Sequence, residues 1–74
     1  MSRQSWVIQE ESTARGSQYR VSHGRRQIFV EDDYDAAVRL VRRTRAKEGS
    51  TDPVLFIEPD GYRHDITRSL SRLR

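Results

Sequence analysis

Hydrophobic and polar residues alternate in three stretches of the chain, and in a fourth they recur at helical spacing. Alternation with a period of two is typical of strands that bury one face. It predicts a strand over residues 5–11 and hairpins over 18–32 and 53–67. The small and polar residues 12–17 predict a loop between the first strand and the first hairpin.

The turn of the first hairpin decides which side chains share a face of the sheet. We predict a two-residue turn at His23 and Gly24, because glycine adopts a positive φ without strain. In that register Tyr19 pairs with Ile28. One face of the hairpin then carries Tyr19, Val21, Ile28 and Val30. The other face carries Arg20, Gln27 and Phe29.

Residues 31–49 have the periodicity of an amphipathic helix. Asp32 or Asp33 can cap its N-terminus, and Gly49 is the expected C-terminal stop. The apolar stripe consists of Tyr34, Ala37, Val38, Val41 and Thr44, with Leu40 at its edge. The opposite side carries Arg39, Arg42 and Arg43.

The second hairpin has a turn with a clear mechanism at Pro59-Asp60-Gly61. Proline presets φ, aspartate bonds the backbone, and glycine accepts the left-handed region. One face is predicted to carry Val54, Phe56, His64 and Ile66, and the other Leu55, Ile57, Arg63 and Asp65. Residues 68–74 form a basic tail, either frayed or one helical turn.

The order β-β-β-α-β-β predicts one small α+β domain over residues 1–74. We expect two layers, an antiparallel sheet of four to five strands with one helix packed on one face. Trp6 and either Ile8 or Val7 should join the core beneath the helix. The other sheet face then has no partner and should show Arg20, Gln27, Phe29, Leu55, Ile57 and Arg63.

Composition narrows the range of functions. The chain has 74 residues, no cysteine and two histidines, which excludes disulfides and argues against a zinc site. The net charge is +3 and the pI is about 10.0, which suits an acidic partner. Lys47 is the single lysine among 14 basic residues. Arginine binds phosphate better than lysine does, because its planar guanidinium can donate two parallel hydrogen bonds. Codon bias in a GC-rich genome would also give an excess of arginine over lysine.

Catalytic chemistry has little support in the sequence. His64 and Asp65 are neighbours on a strand and point to opposite faces, and His23 lies in a predicted turn. The acidic residues 31–35 are explained by helix capping and the helix dipole. We therefore expect no enzyme activity, metal, cofactor or small-molecule substrate. The chain has no apolar run that could cross a membrane and no signal-peptide core, so we expect a cytoplasmic protein.

The segments "WVIQ", "YRVSHGRRQIFVEDDYDAAVRLVRRTRAKEG" and "VLFIEPDGYRHDI" resemble the small bacterial domain-of-unknown-function family 2188. The resemblance covers roughly residues 6–66 and implies the hairpin-helix-hairpin fold, without any catalytic residue. The order of strands and helix is also similar to the arm-binding domains of phage integrases, which lay a sheet in the major groove. Those domains lack the second hairpin.

Two functions remain open. The first is a non-enzymatic accessory or regulatory module that binds nucleic acid through arginines. Its candidate residues are Arg20, Arg25, Phe29 and Arg63 on the sheet, and Arg39, Arg42 and Arg43 on the helix. We favour the sheet face, since bases stack on aromatic rings. The second is a protein-binding module, either a homodimer formed through Phe29, Leu55 and Ile57 or a phage or mobile-element modulator that docks on a host protein.

Overall fold

Five strands form one sheet in the order β3-β2-β1-β4-β5, and the main helix packs across one face. The structure is a computed structural model that describes residues 4–70. The elements are β1 (Trp6–Thr13), β2 (Gly16–His23), β3 (Arg26–Glu31), α1 (Tyr34–Lys47), β4 (Val54–Ile57), β5 (Arg63–Asp65) and α2 (Thr67–Leu70). The predicted α+β class and two-layer arrangement are confirmed.

The sheet is mixed rather than purely antiparallel. β1 pairs with β2 in antiparallel register but runs parallel to β4, with Ile8 opposite Phe56. The cause is the crossover: α1 returns the chain to the end where β3 began, so β4 starts in the same direction as β1 and β3. The paired residues of β1 and β4 lie about 48 positions apart in the sequence. The local pattern predicted the two strands but not their parallel pairing.

The predicted loop over residues 12–17 is wrong. β1 and β2 continue into a tight hairpin in which Thr13 pairs with Gly16. The Thr13 hydroxyl donates to the Gly16 carbonyl at 2.8 Å and accepts from the Arg15 backbone N–H at 3.2 Å. Gly16 has φ 124°, a conformation that glycine adopts readily. The polar composition of residues 12–17 therefore did not indicate that β1 and β2 extend into this segment.

The register of the β2–β3 hairpin also differs from the prediction. Gly24 and Arg25 form the turn, and a bulge follows between Val21 and Ser22. The bulge leaves Ile28 without a register partner, so Phe29 pairs with Val21, and Arg20 pairs with Val30. Because directly paired residues share a face, Val30 lies on the face opposite α1 and Phe29 does not.

The helix prediction is confirmed. Asp33 caps α1, and its carboxylate accepts from the Ala36 backbone N–H at 3.1 Å. Gly49, with φ 65°, donates to the Ala46 carbonyl and ends the helix. Ala37, Val38 and Val41 are buried, as the stripe predicted, while Tyr34 and Leu40 are half-buried against the core.

The core lies between α1 and the sheet. Its fully buried large side chains are Trp6, Ile8, Val21, Val41 and Val54. The turn at Pro59-Asp60-Gly61 is confirmed: the Asp60 carboxylate accepts from the Tyr62 backbone N–H at 2.9 Å, and Gly61 has φ 93°.

The beginning of the predicted tail forms α2, and its Leu70 is only 3% exposed. Residues 71–74 of that tail lie outside the described residues. Leu70 belongs to the core, although the basic composition of the tail did not predict a buried residue there.

Candidate functional site

Three arginines form a strip along the outer side of α1. Arg39, Arg42 and Arg43, which we call the arginine strip, are all exposed. None of them makes a side-chain hydrogen bond or an ion pair within residues 4–70. Arg39 also forms no ion pair with Asp35, one helical turn earlier, in this part of the chain. The charges of the strip are therefore available to a partner.

Other arginines near α1 are already engaged. Arg45 Nε donates to the Asp52 carbonyl at 2.9 Å and ties the helix to the loop before β4. Arg26 Nη2 donates to Glu48 Oε2 at 2.7 Å. This ion pair places the β2–β3 turn beside the C-terminal end of α1. Arg25, in that turn, is exposed and adds a positive charge at the same end.

Arg20 on the open face, the side of the sheet away from α1, is held by neighbours. Its Nη2 donates to Glu11 Oε1 at 3.0 Å, and its Nη1 donates to Gln27 Oε1 at 3.2 Å. Hydrogen bonds from Gln18 and then Arg20 hold the pKa of Glu11 below its usual range. A phosphate at Arg20 would have to displace these bonds.

The combination of arginine and aromatic ring predicted for the open face is not formed there. Phe29, 56% exposed, lies in register with buried Val21 and not with Arg20. Arg63 is exposed on β5, the edge strand farthest from Phe29 on β3, where it pairs in register with Ile57. The prediction that Phe29 shares a face with Arg20 and Arg63 is thus wrong, and the bulge is the reason.

The apolar part of the open face differs from the prediction in its residues. Val7 and Leu55 are register partners on the adjacent strands β1 and β4, and Ile57 lies two residues further along β4. All three are half-buried, and Val30 supplies a fourth apolar side chain on β3. Polar Gln9, the register partner of Ile57, lies beside these side chains.

Both histidines form carboxylate pairs that sequence spacing did not reveal. His23 Nε2 lies 2.8 Å from Asp52 Oδ2, its Nδ1 lies 4.0 Å from Glu48 Oε1, and its ring stacks on Trp6 at 4.0 Å. Both ring nitrogens of His23 thus face carboxylates. This geometry fits a structural role for His23 beside the buried Trp6.

Aromatic rings form a continuous row at the end of the sheet where α1 begins. Tyr34 meets Phe56 edge-on at 5.0 Å, Phe56 stacks on His64 at 5.9 Å, and His64 lies 4.8 Å from Tyr62. Tyr19 contacts Tyr34 and Phe56 and completes the group. We call these five residues the aromatic shelf. Tyr62 is 63% exposed, so the outer end of the shelf faces solvent.

Carboxylates surround the aromatic shelf. Glu58 Oε2 lies 2.5 Å from His64 Nε2, and Glu10 and Glu31 are the register partners of Tyr19 on either side. Burial, followed by the charge of Asp35, raises the pKa of the Tyr34 hydroxyl. The ion pairs within residues 4–70 leave these four carboxylates without an arginine or lysine partner. The sequence contained each residue of the shelf, but only the sheet register brings them together.

Residues 4–70 contain no group of three or more side chains that could hold a metal ion. No helix in this range is long and apolar enough to cross a bilayer. Comparison of the chain with models of known families, with curated proteins and with solved structures finds no match. The resemblance to family 2188 therefore stays a prediction.

Proposed function

We propose that the protein is a non-enzymatic nucleic-acid-binding module that contacts phosphates through the arginine strip. The observation that supports this most directly is the contrast among arginines. Arg20, Arg26 and Arg45 are engaged by acceptors of the chain, whereas those of the strip are exposed and have no partner within residues 4–70. Arginine is well suited to phosphate, because its planar fork donates two parallel hydrogen bonds.

The lack of an apolar anchor beside the strip favours nucleic acid over a tight contact with an acidic protein. Protein interfaces depend on a few buried aromatic or apolar anchors near their centre. Around the strip, the apolar side chain exposed on α1 is the small Ala46. Binding to phosphates needs no such anchor, since release of counterions supplies much of the free energy.

The side chains around the strip also favour a duplex over a single strand. Proteins that bind single strands stack bases on aromatic side chains. The two large exposed aromatic residues of the described chain, Phe29 and Tyr62, lie on β3 and beside the β4–β5 turn. Neither lies on α1 beside the strip. Contacts to phosphates alone predict weak, salt-sensitive binding with little sequence preference.

The positions of Arg20 and Phe29 also favour the arginine strip over the sheet face as the binding surface. The sheet face was favoured for combining arginine with an aromatic ring, yet Arg20 is bound to Glu11 and Phe29 lies off that face. The strip carries no such competing bonds. Arg25, at the neighbouring turn, is placed to extend the contact at the C-terminal end of α1.

The test is fluorescence anisotropy with a labelled duplex and the matching single strand at low salt. Arg42→Gln/Arg43→Gln removes two positive charges from the strip and keeps residues that favour helix. Arg15→Gln/Arg63→Gln is the matched control, because both arginines are exposed and lie away from α1. We expect tighter binding to the duplex and weakening of at least tenfold in the strip variant only. Equal or greater weakening in the control, or no duplex binding by the wild type, would overturn the proposal.

A protein contact through the open face is the second candidate. It is favoured by the adjacent apolar side chains Val7, Leu55 and Ile57, which have no layer above them in the described chain. Replacing Ile57 by Glu should convert a homodimer formed through this face into monomers, which sedimentation would detect. A wild type that sediments as a monomer at high micromolar concentration and high salt would exclude a homodimer of this kind.

A further inference from the structure

The helix side of β4 and β5 is only partly covered. A helix is about 10 Å wide and strands lie about 4.8 Å apart, so one helix covers roughly two to three strands. α1 packs on β1, β2 and β3, and the short α2 adds Leu70 to the core. The remaining surface is the aromatic shelf, with Tyr62 63% exposed and the His64 side chain 41% exposed.

We propose that the aromatic shelf is a docking surface for arginine side chains of a second copy of this chain. Two features of the shelf favour a cation. Exposed aromatic faces attract guanidinium groups, which stack on them as well as bond to carboxylates. Glu10, Glu31, Asp35 and Glu58 supply negative charge that no arginine or lysine of residues 4–70 neutralises by an ion pair.

A second copy is the occupant because the same chain presents the complementary surface. The arginine strip is exposed and has no acidic partner within residues 4–70. It lies on the outer side of α1, whereas the shelf lies on the sheet and on the first turn of the same helix. A rigid helix cannot turn its outer side onto its own sheet, so strip and shelf can meet only between molecules.

Contacts of this kind are heterologous. The strip of one copy binds the shelf of the next, which leaves one strip and one shelf free at the ends. Association should therefore proceed beyond dimers into short chains or rings. Each exposed cation–π contact and surface ion pair adds little, so association should be weak and should disappear with added salt.

This arrangement goes beyond the proposed function and makes a prediction about it. A duplex and the shelf of a neighbouring copy would compete for the same arginines. Adding duplex should therefore disperse the assemblies. Self-association does not depend on nucleic-acid binding, so either proposal can fail without the other.

Sedimentation velocity of the wild type up to about millimolar concentration gives the first test. At low salt we expect the average mass to rise with concentration, and at high salt to return to that of a monomer. Tyr62→Ala removes one exposed ring without changing the backbone turn, and it should weaken association by about threefold. Trp6 fluorescence and circular dichroism check that each variant is folded.

Complementation between variants identifies the two surfaces. A strip variant, Arg42→Glu/Arg43→Glu, keeps the shelf, and a shelf variant, Tyr62→Ala/Glu31→Lys, keeps the strip. Each alone should stay monomeric, and the mixture should form a 1:1 complex without larger species. The shelf variant should still bind a duplex at least as tightly as the wild type, because Glu31→Lys adds positive charge. A wild type that stays monomeric at low salt, or a strip variant that still associates alone, would overturn the inference.

Discussion

Removing the Ser50 hydroxyl should destabilise the fold far more than its small size suggests. Ser50 Oγ accepts from Trp6 Nε1 at 3.0 Å and from the Asp52 backbone N–H at 3.2 Å. Trp6 is 0% exposed, so water cannot reach its indole N–H in the native structure. Ser50→Ala leaves that donor buried without an acceptor.

The expected loss follows from the cost of an unpaired buried donor. That cost is about 1–3 kcal/mol. A domain of this size shifts its Tm by about 4–8 °C for each kcal/mol, so the Tm should fall by roughly 4–24 °C. Such a domain rarely has more than about 3–5 kcal/mol of stability, and the variant should be close to unfolding at 37 °C.

Urea unfolding followed by Trp6 fluorescence measures the loss directly, since Trp6 is the single tryptophan. Ser12→Ala is the control, because Ser12 is exposed on β1. In a Trp6→Phe background, followed by circular dichroism, Ser50→Ala should cost about 1 kcal/mol less, because the donor is gone. A Tm within a degree of the wild type, or equal costs in both backgrounds, would refute this account of the Trp6–Ser50 bond.

Two further changes test the turns and the charges. Gly24→Ala and Gly49→Ala should each lower the free energy of unfolding by about 1–2 kcal/mol, because both glycines have positive φ (61° and 65°). Denaturant unfolding measures this loss, and a loss near zero would show that the turns relax to another conformation. The pKa of Glu11 is lowered in the folded state, so its contribution to stability is present above its ordinary value of 4.5 and is lost as pH falls through the folded value. Glu11→Gln should therefore lower the Tm at pH 7 and match the wild type in strong acid, and a constant difference at all pH values would contradict this.

Local signals in the sequence were sufficient for α1 and for the β4–β5 turn. Asp33, Gly49 and the Pro59-Asp60-Gly61 turn act through neighbours within a few residues, so their roles can be inferred without the fold. The apolar stripe of α1 likewise needs only the helical period.

The rest depended on contacts between distant segments. The parallel pairing of β1 and β4 follows from how α1 crosses the sheet, which the local pattern does not specify. The bulge at Val21 shifted Phe29 and Val30 by one position and exchanged their faces. For the same reason the His23–Asp52 pair, 29 residues apart, and the aromatic shelf were not foreseen.

The salt dependence of duplex binding tests the central claim most directly. The logarithm of the binding constant falls by about 0.9 for each tenfold increase in salt per phosphate neutralised. The slope for Arg42→Gln/Arg43→Gln should be shallower than the wild-type slope by about two units, and that of Arg15→Gln/Arg63→Gln should not change. An unchanged slope in the strip variant, or an equal reduction in the control, would contradict the assignment of the arginine strip as the phosphate-binding surface.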